Sequence, residues 1–298
     1  MSAPPTTIKA NGIDVCYEEF GEAGDPPLLL IMGLGAQMTA WDDEFCQSLS
    51  GRGLRVIRFD NRDVGKSTWW STPALDLNAE LTKAMSGQPI TAPYLLSDMA
   101  ADAAGLLDTL DISAAHIVGA SMGGMIAQTF AIEHPDRTLT LTSIMSTTGD
   151  PDVGQPKPEV LGLLLQPAPQ TRDAAIEQGV SSARAISWPE HFDEERTRER
   201  AAENYDRGFN PIGVGRQLLA ILGSGSRSAA LADLQVPTLV IHGRGDPLVQ
   251  LSGGERTAEV IPDAELLVID DMAHDLPQAH WSPIIERITT LASRAPVA

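Results

Sequence analysis

Residues 119–123, Gly-Ala-Ser-Met-Gly, constrain the fold of this 298-residue chain more than any other segment. The apolar run at 117–118 leads into them, and a helical pattern over 125–134 follows and stops at Pro135. A strand, a sharp turn and a helix with Gly-x-Ser-x-Gly at the turn form a nucleophile elbow. The glycines leave room for a serine in a strained conformation at a helix N-terminus, where negative charge is favoured. We therefore predict that Ser121 is a catalytic nucleophile.

Strand-like and helix-like segments alternate along most of the chain. Asn11-Gly12 lies between the first two strand-like runs and is a strong hairpin signal. Later runs are continuously apolar, as expected for strands that are buried on both faces. This alternation predicts an α/β fold with a mainly parallel, eight-stranded sheet flanked by helices. The predicted strands cover residues 6–10, 13–20, 27–32, 54–59, 117–118, 138–145, 238–242 and 265–269.

The character of the chain changes between residues 147 and 231, where prolines cluster and only helical patterns occur. We therefore predict an inserted helical cap, or lid, at 147–231 and a core domain formed by 1–146 and 232–298. A cap above the strand ends would shield the serine from water and supply an apolar wall for a substrate. Residues 68–93 are predicted to form a loop or partial lid with one helical turn around 75–85. Trp188, Phe192 and Phe209 are predicted to line the substrate pocket with Gly33, and Leu163 and Leu164 are further large cap residues.

A serine becomes a good nucleophile only when a base, usually a histidine oriented by a carboxylate, takes its proton. After an elbow of this kind the chain order is serine, acid, histidine. His274 lies a few residues past the last strand and is the predicted base, whereas His280 is interpreted as a surface residue and His191 lies in the cap. Asp246 directly follows an apolar strand and is the predicted acid. Asp150, which follows an earlier strand, is the alternative acid.

The oxyanion formed during catalysis needs two fixed hydrogen-bond donors. One is expected to be the backbone N–H of Met122, the residue after the nucleophile. The other is expected to be the backbone N–H of Leu34, because Gly33 lets the chain after the third strand approach closely. Since every predicted group belongs to the chain itself, no cofactor is expected.

Five motifs recur at intervals that resemble those of the α/β-hydrolase superfamily, and the resemblance covers nearly the whole chain. Within the superfamily, the chain is most similar to the bacterial esterase branch that includes aclacinomycin methylesterase. Two departures are Met32-Gly33, where many members have His-Gly, and Ala273-His274, where many have Gly-His. Neither changes the predicted catalytic groups, since the oxyanion donor is a backbone amide. The motifs occupy residues 32–35, 60–67, 119–124, 243–246 and 273–274, and Arg62 and Asp63 are expected to brace the strand end near the elbow.

The resemblance implies a serine hydrolase that cleaves a carboxylic ester of a small molecule through an acyl-enzyme. Ser121 would attack the carbonyl, His274 would relay the proton, and Asp246 would hold the imidazolium. A lactonase, thioesterase, carbon–carbon bond hydrolase, perhydrolase or acyltransferase can carry the same triad, so these stay alternatives, as does a non-catalytic ligand receptor on this fold. The serine nucleophile argues against the dehalogenase and epoxide hydrolase branches, which use aspartate.

Charge and composition limit the kinds of partner. The net charge is −19, from 21 basic and 40 acidic residues, and such a surface repels nucleic acid and anionic membranes. The only cysteines, Cys16 and Cys46, give no disulfide scaffold, and no CxxC or His/Cys cluster suggests a metal site. The sequence shows neither a signal-peptide pattern nor an apolar run of about 18 residues. We therefore expect a cytoplasmic monomer or homodimer that acts on a small-molecule ester, with no nucleic-acid, membrane or metal partner.

Overall fold

The computed structural model describes residues 4–71, 76–164 and 166–294 of the chain. Eight strands in these parts form a single sheet at the centre of the molecule. The strands are β1 (Thr6–Ala10), β2 (Ile13–Phe20), β3 (Pro27–Ile31), β4 (Arg55–Phe59), β5 (Ala115–Ala120), β6 (Thr138–Ile144), β7 (Thr238–Gly243) and β8 (Glu265–Ile269).

The sheet has the order β1-β2-β4-β3-β5-β6-β7-β8. Strand β2 is antiparallel to both β1 and β4, whereas all the remaining pairs are parallel. Asn11 and Gly12 connect β1 to β2 with φ angles of 47° and 79°, the conformation that a tight hairpin with right-handed strand twist requires. The prediction of an eight-stranded, mainly parallel α/β sheet is therefore confirmed.

Helices cover both faces of the sheet. Side chains of β3 alternate between the faces, with Leu29 on the side of α3 and α4 and Leu30 on the side of α1 and α11. None of the helices in the described ranges is long and apolar enough to cross a membrane. The helices are α1 (Asp43–Ser50), α2 (Leu77–Met85), α3 (Leu96–Thr109), α4 (Met122–Glu133), α5 (Pro158–Leu164), α6 (Arg172–Ile186), α7 (Glu194–Gly208), α8 (Pro211–Ser224), α9 (Ser228–Leu231), α10 (Ser252–Val260) and α11 (Trp281–Ala292).

Several boundaries differ slightly from the sequence prediction, and local contacts explain the differences. Strand β6 ends at Ile144 because Met145 has a φ angle of 41°, which an extended strand does not allow. The first helix begins at Asp43, because the carboxylate of Asp42 accepts the N–H of Glu44 and caps the helix.

The chain between β6 and β7 contains helices α5 to α9 and no strand among its described residues. Two ion pairs connect it to the loop after β4. Arg207 of α7 binds Asp60 at 2.6 Å, and Arg216 of α8 binds Asp63 at 2.7 Å. The two aspartates are completely buried, so these pairs fix α7 and α8 over the carboxyl edge of the sheet. The segment expected to form a partial lid contains α2, and its residues 72–75 lie outside the described part of the chain.

Arg62 and Asp63 brace the end of β4, as the sequence suggested. The guanidinium of Arg62 donates two hydrogen bonds to the buried carboxylate of Asp102 in α3, at 2.6 and 2.8 Å. Asp63 accepts a hydrogen bond from the hydroxyl of Tyr94 at 2.6 Å in addition to its contacts with Arg216. The loop after β4 is thereby held to α3 and α8 at once.

Candidate active site

Ser121 lies in a sharp turn between β5, which ends at Ala120, and α4, which begins at Met122. Its backbone has φ 57° and ψ −122°, an uncommon conformation for a residue with a side chain. A Cβ atom on Gly119 would lie 2.0 Å from the carbonyl oxygen of Gly123, so glycine is required for the turn to close. The turn thus projects the serine hydroxyl outward from the edge of the sheet.

His274 lies in the loop after β8 and meets the serine. Its Nε2 is 3.0 Å from the Oγ of Ser121, and its Nδ1 is 2.7 Å from Oδ2 of Asp246. The backbone N–H of His274 donates to the carbonyl of Ile186 at 2.8 Å, which fixes the loop against the end of α6. Residues 121, 246 and 274 therefore form one continuous chain of hydrogen bonds.

Asp246 is buried in the turn after β7. Its Oδ1 accepts the backbone N–H groups of Leu248 and Val249 at 2.9 and 2.8 Å, so Oδ2 is left to face the imidazole of His274. Burial by itself would raise the pKa of this carboxyl, but His274 and His242 outweigh burial and lower the pKa to about 2. The carboxylate therefore stays ionised at neutral pH.

His242 is a neighbour of the site that the sequence interpretation missed. It lies at the end of β7, with its Nε2 3.4 Å from Oδ2 of Asp246 and 2.8 Å from the carbonyl of Val249. The four-residue spacing between His242 and Asp246 was a visible signal. The imidazole helps to fix the turn that presents the carboxylate.

Asp150, the alternative acid, has different partners. Its carboxylate binds Arg256 at 2.8 Å and accepts hydrogen bonds from the hydroxyls of Ser226 and Ser228. These serine hydrogen bonds, together with Arg256, lower its pKa to about 2 despite the opposing effect of burial. Asp150 therefore anchors the chain before β7 and is not the partner of His274.

The two backbone amides predicted to be oxyanion donors, those of Leu34 and Met122, belong to segments that lie close to Ser121. A Cβ atom on Gly33 would lie 3.0 Å from Cβ of Ser121, which shows how closely the loop after β3 approaches the serine. Among the described residues, neither the N–H of Leu34 nor that of Met122 donates to an acceptor. Both groups are therefore available to an oxygen atom bound beside the hydroxyl.

A cavity of about 750 Å³, here called the Ser121 cavity, opens at the serine and His274. Its walls come from the loop after β3 and from α2, α5, α6 and α8, and they are mostly apolar. No arginine or lysine of the described chain contributes to them. The side chains and backbone that form the walls include Gly33, Leu34, Leu81, Leu163, Phe209, Val214 and Leu218.

The predicted pocket residues separate into three groups. Phe209 and Gly33 line the Ser121 cavity, whereas Phe192 lines a second cavity of about 420 Å³ that also has His274 in its wall. Trp188 lines neither of these two cavities, which corrects the expectation for this residue. Its ring packs against Gly245, where an added Cβ would come within 2.6 Å of the indole. The side chain of Leu164 lies outside the described part of the structure.

His280 is less exposed than the sequence interpretation suggested. Its side chain is only 14% exposed and lies with that of His191 against the carboxylate of Asp271. Neither histidine has a hydrogen bond to the serine, so His274 is the histidine of the site.

Comparison with known proteins gives the same assignment of the fold. A family model described as alpha/beta hydrolase fold matches residues 26–277. The rhodomycin D methylesterase of Streptomyces sp. (strain C5) is 31% identical over an alignment of 308 positions, gaps included, which covers 96% of this chain and 97% of that protein. A poly(3-hydroxyalkanoate) depolymerase of Ectopseudomonas oleovorans is 32% identical over 246 residues, covering 82% and 77% of the two chains.

Solved structures of other proteins have a similar fold. The meta-cleavage product hydrolase of Pseudomonas fluorescens IP01 superposes with a TM-score of 0.77 over 97% of both chains, at 22% identity. The match to the family model covers most of the chain, and the methylesterase relative is aligned over nearly its full length. The chain therefore belongs to the alpha/beta hydrolase fold family, as its motifs predict.

Proposed function

We propose that this protein is a serine hydrolase that cleaves a carboxylic ester of a small molecule through an acyl-enzyme. The observation that carries the proposal is the hydrogen-bond chain from Ser121 through His274 to Asp246, with steps of 3.0 and 2.7 Å. Its first member, the hydroxyl of Ser121, opens into a cavity large enough for a drug-sized molecule.

Each group has one role in the proposed reaction. His274 takes the proton of Ser121 while the serine oxygen attacks the ester carbonyl, and the negative carboxylate of Asp246 stabilises the imidazolium that forms. The N–H groups of Leu34 and Met122 bind the oxyanion of the tetrahedral intermediate. The imidazolium then gives its proton to the leaving alcohol. Water, deprotonated by the same imidazole, releases the acid from the serine.

The Ser121 cavity favours an uncharged, largely apolar acyl group. Its described walls carry no positive side chain that could balance a buried carboxylate of the substrate. The volume of about 750 Å³ suits a bulky acid rather than an acetyl group. Because the 31% identical relatives are named methylesterases, we propose that the leaving group is small and that the substrate is a methyl ester of such an acid.

Residues 147–231 are proposed to act as the cap of the core formed by 1–146 and 232–298. Helices α5, α6 and α8 of this block supply walls of the Ser121 cavity, whereas the serine, the acid and the histidine all lie outside it. The block would then decide which acyl groups fit, while the chemistry belongs to the core.

Replacing the nucleophile tests the proposal. Ser121→Ala is expected to lower kcat for p-nitrophenyl and methyl esters by at least about a thousandfold, because no other group can form the acyl-enzyme. Ser113→Ala, at an exposed serine before β5, is the matched control and should keep full activity. Circular dichroism should show that both variants are folded. Activity of Ser121→Ala within tenfold of the wild type would contradict the proposal.

The substrate class is tested separately, with methyl esters of small and bulky acids assayed beside lactones and thioesters. The bulky methyl esters are expected to have the highest kcat/KM. Faster cleavage of a lactone or a thioester would change the substrate class and leave the catalytic groups as proposed.

A further inference from the structure

Three metal-ligating side chains meet at a place outside the candidate active site. His191 Nε2 lies 3.0 Å from Oδ2 of Asp271, and His280 Nε2 lies 3.1 Å from Oδ1 of the same carboxylate. The three candidate ligand atoms all lie within 4.8 Å of one another. The two imidazole rings meet edge to face, with centroids 5.0 Å apart. We call this group the His-Asp-His cluster.

Each histidine of the cluster ends a short 3₁₀ turn. His191 ends the 3₁₀ turn Pro189–His191 between α6 and α7, and its backbone N–H donates to the carbonyl of Trp188 at 3.0 Å. His280 ends the 3₁₀ turn Gln278–His280 before α11, with its N–H bonded to the carbonyl of Pro277 at 2.9 Å. Asp271 follows β8 by two residues. The backbone therefore holds both histidines in place against the carboxylate.

The donor set and its spacing suit a divalent transition-metal ion. Two imidazole nitrogens and one carboxylate oxygen are ordinary ligands of Zn²⁺, which binds each at about 2.0–2.2 Å. Tetrahedral ligands at such distances lie roughly 3.3 Å apart. Each imidazole nitrogen already lies 3.0–3.1 Å from one of the two carboxylate oxygens, and three ligand atoms, one from each residue, lie within 4.8 Å of one another. Mg²⁺ and Ca²⁺ prefer sites made of oxygen atoms, so this donor set discriminates against them.

The exposure of the cluster allows an ion to enter from solvent. The side chains of His191 and His280 are 22% and 14% exposed, whereas that of Asp271 is 51% exposed. A second cavity, lined by His191 and Gln278 among other residues, lies beside the cluster. Three protein ligands would leave a fourth position for a water molecule.

We propose that His191, Asp271 and His280 bind one Zn²⁺-type ion, which links the segment between α6 and α7 to the loop after β8. This loop also carries His274, three residues beyond Asp271. The ion would therefore hold the block between β6 and β7 against the loop that positions the base. It lies outside the proposed ester chemistry, so the proposal does not depend on the proposed function.

Zinc titration of the full chain, after dialysis against EDTA and then against metal-free buffer, tests the proposal. Isothermal calorimetry is expected to show one equivalent of Zn²⁺ bound with a micromolar or lower Kd, and millimolar Mg²⁺ should not displace it. Binding to the folded state should raise the Tm. Co²⁺ should give the visible absorption of a tetrahedral site with nitrogen and oxygen ligands.

Single substitutions locate the ion. His191→Gln, His280→Gln and Asp271→Asn are each expected to weaken Zn²⁺ binding by at least about tenfold and to abolish the rise in Tm. Asp270→Asn is the matched control, because Asp270 is the neighbouring carboxylate but pairs with Arg244 at 2.6 Å. It should bind Zn²⁺ as the wild type does. Absence of binding at a tenfold molar excess of ZnCl₂, or equal binding by the three variants and the wild type, would overturn the proposal.

Discussion

The backbone of Ser121 stores strain that the surrounding turn has to balance. A non-glycine residue with φ near 57° in this region costs about 1–3 kcal/mol. The N–H of Ser121 donates to Ile144 at 2.9 Å, and its carbonyl accepts the hydroxyl of Ser146 at 2.8 Å. These bonds, together with the close approach of Gly119 to Gly123, hold the serine in place. The hydroxyl is therefore positioned before any substrate arrives.

The negative charge of Asp246 is expected to be needed for catalysis. Asp246→Asn keeps the size of the side chain but removes the charge that orients and stabilises the imidazole of His274. We expect kcat to fall by about 10⁴-fold, as for the equivalent change in other triads. The measurement is ester hydrolysis at a temperature where circular dichroism shows the variant folded.

Asp150→Asn is the control for this prediction, because Asp150 is also a carboxylate with a pKa lowered to about 2. Its partners are Arg256 and two serines rather than His274, so kcat should stay close to that of the wild type. A larger loss of kcat for Asp150→Asn than for Asp246→Asn would show that the acid is assigned wrongly.

Buried charges decide where two helices of the 147–231 block lie. Asp60 accepts the N–H groups of Met38 and Lys66 as well as the guanidinium of Arg207. Because removing one partner of a buried pair leaves an unpaired charge, breaking such a pair costs about 3–5 kcal/mol. The Arg216–Asp63 pair holds α8 in the same way. The wall that α8 gives to the Ser121 cavity is therefore fixed by contacts with the loop after β4.

Helix α5 allows a matched test of the proposed cap. Leu163 lines the Ser121 cavity, whereas Leu161 on the same helix is 40% exposed and does not line it. Leu163→Ala is expected to lower kcat/KM for long acyl esters, because apolar contact with the acyl chain is lost. The loss of transition-state binding energy should be at most about 1–3 kcal/mol. Short acyl esters, which do not reach α5, should be unaffected.

Leu161→Ala removes the same atoms from the solvent side of the helix, so it should leave the chain-length profile unchanged. The measurement is kcat/KM for a series of p-nitrophenyl esters of increasing acyl length. An unchanged profile for both variants would mean that other walls of the cavity, such as α2, select the acyl group.

One buried histidine is expected to make the stability of the whole molecule depend on pH. His116 lies in β5 opposite Thr140 of β6, with its Nδ1 3.0 Å from the threonine hydroxyl. Burial lowers its pKa from 6.5 to about 4. The unfolded chain therefore takes up a proton at this residue at a higher pH than the folded chain does.

The stability that His116 supports is fully present above about pH 6.5 and decreases as the pH falls towards 4. The contribution is on the order of 3 kcal/mol over this range. His116→Gln should remove this pH-dependent contribution. The unfolding free energy of the variant is therefore expected to fall less between pH 7 and pH 5 than that of the wild type. Urea denaturation of both proteins at the two pH values is the measurement. An equal difference for both proteins would show that His116 is not responsible.

Local pattern was sufficient to predict much of this protein. The apolar runs of the parallel strands, the Asn11-Gly12 hairpin and the Gly-x-Ser-x-Gly turn are each determined by residues close in sequence. The order of serine, acid and histidine then predicted three side chains that the structure links through His274, at 3.0 Å from Ser121 and 2.7 Å from Asp246. The predicted family is confirmed by a family model that matches residues 26–277. The motifs that predicted it are spaced along nearly the whole chain.

Only the tertiary structure decided which side chains of the 147–231 block reach the serine. An aromatic residue in a helical pattern can face a cavity, a neighbouring helix or a turn of the core, and its direction depends on packing between elements far apart in sequence. Trp188 thus packs on Gly245, and Phe192 lines a different cavity from Phe209. The His-Asp-His cluster was equally invisible, because 80 residues separate His191 from Asp271 and only the packing of the block against the loop after β8 brings their side chains together.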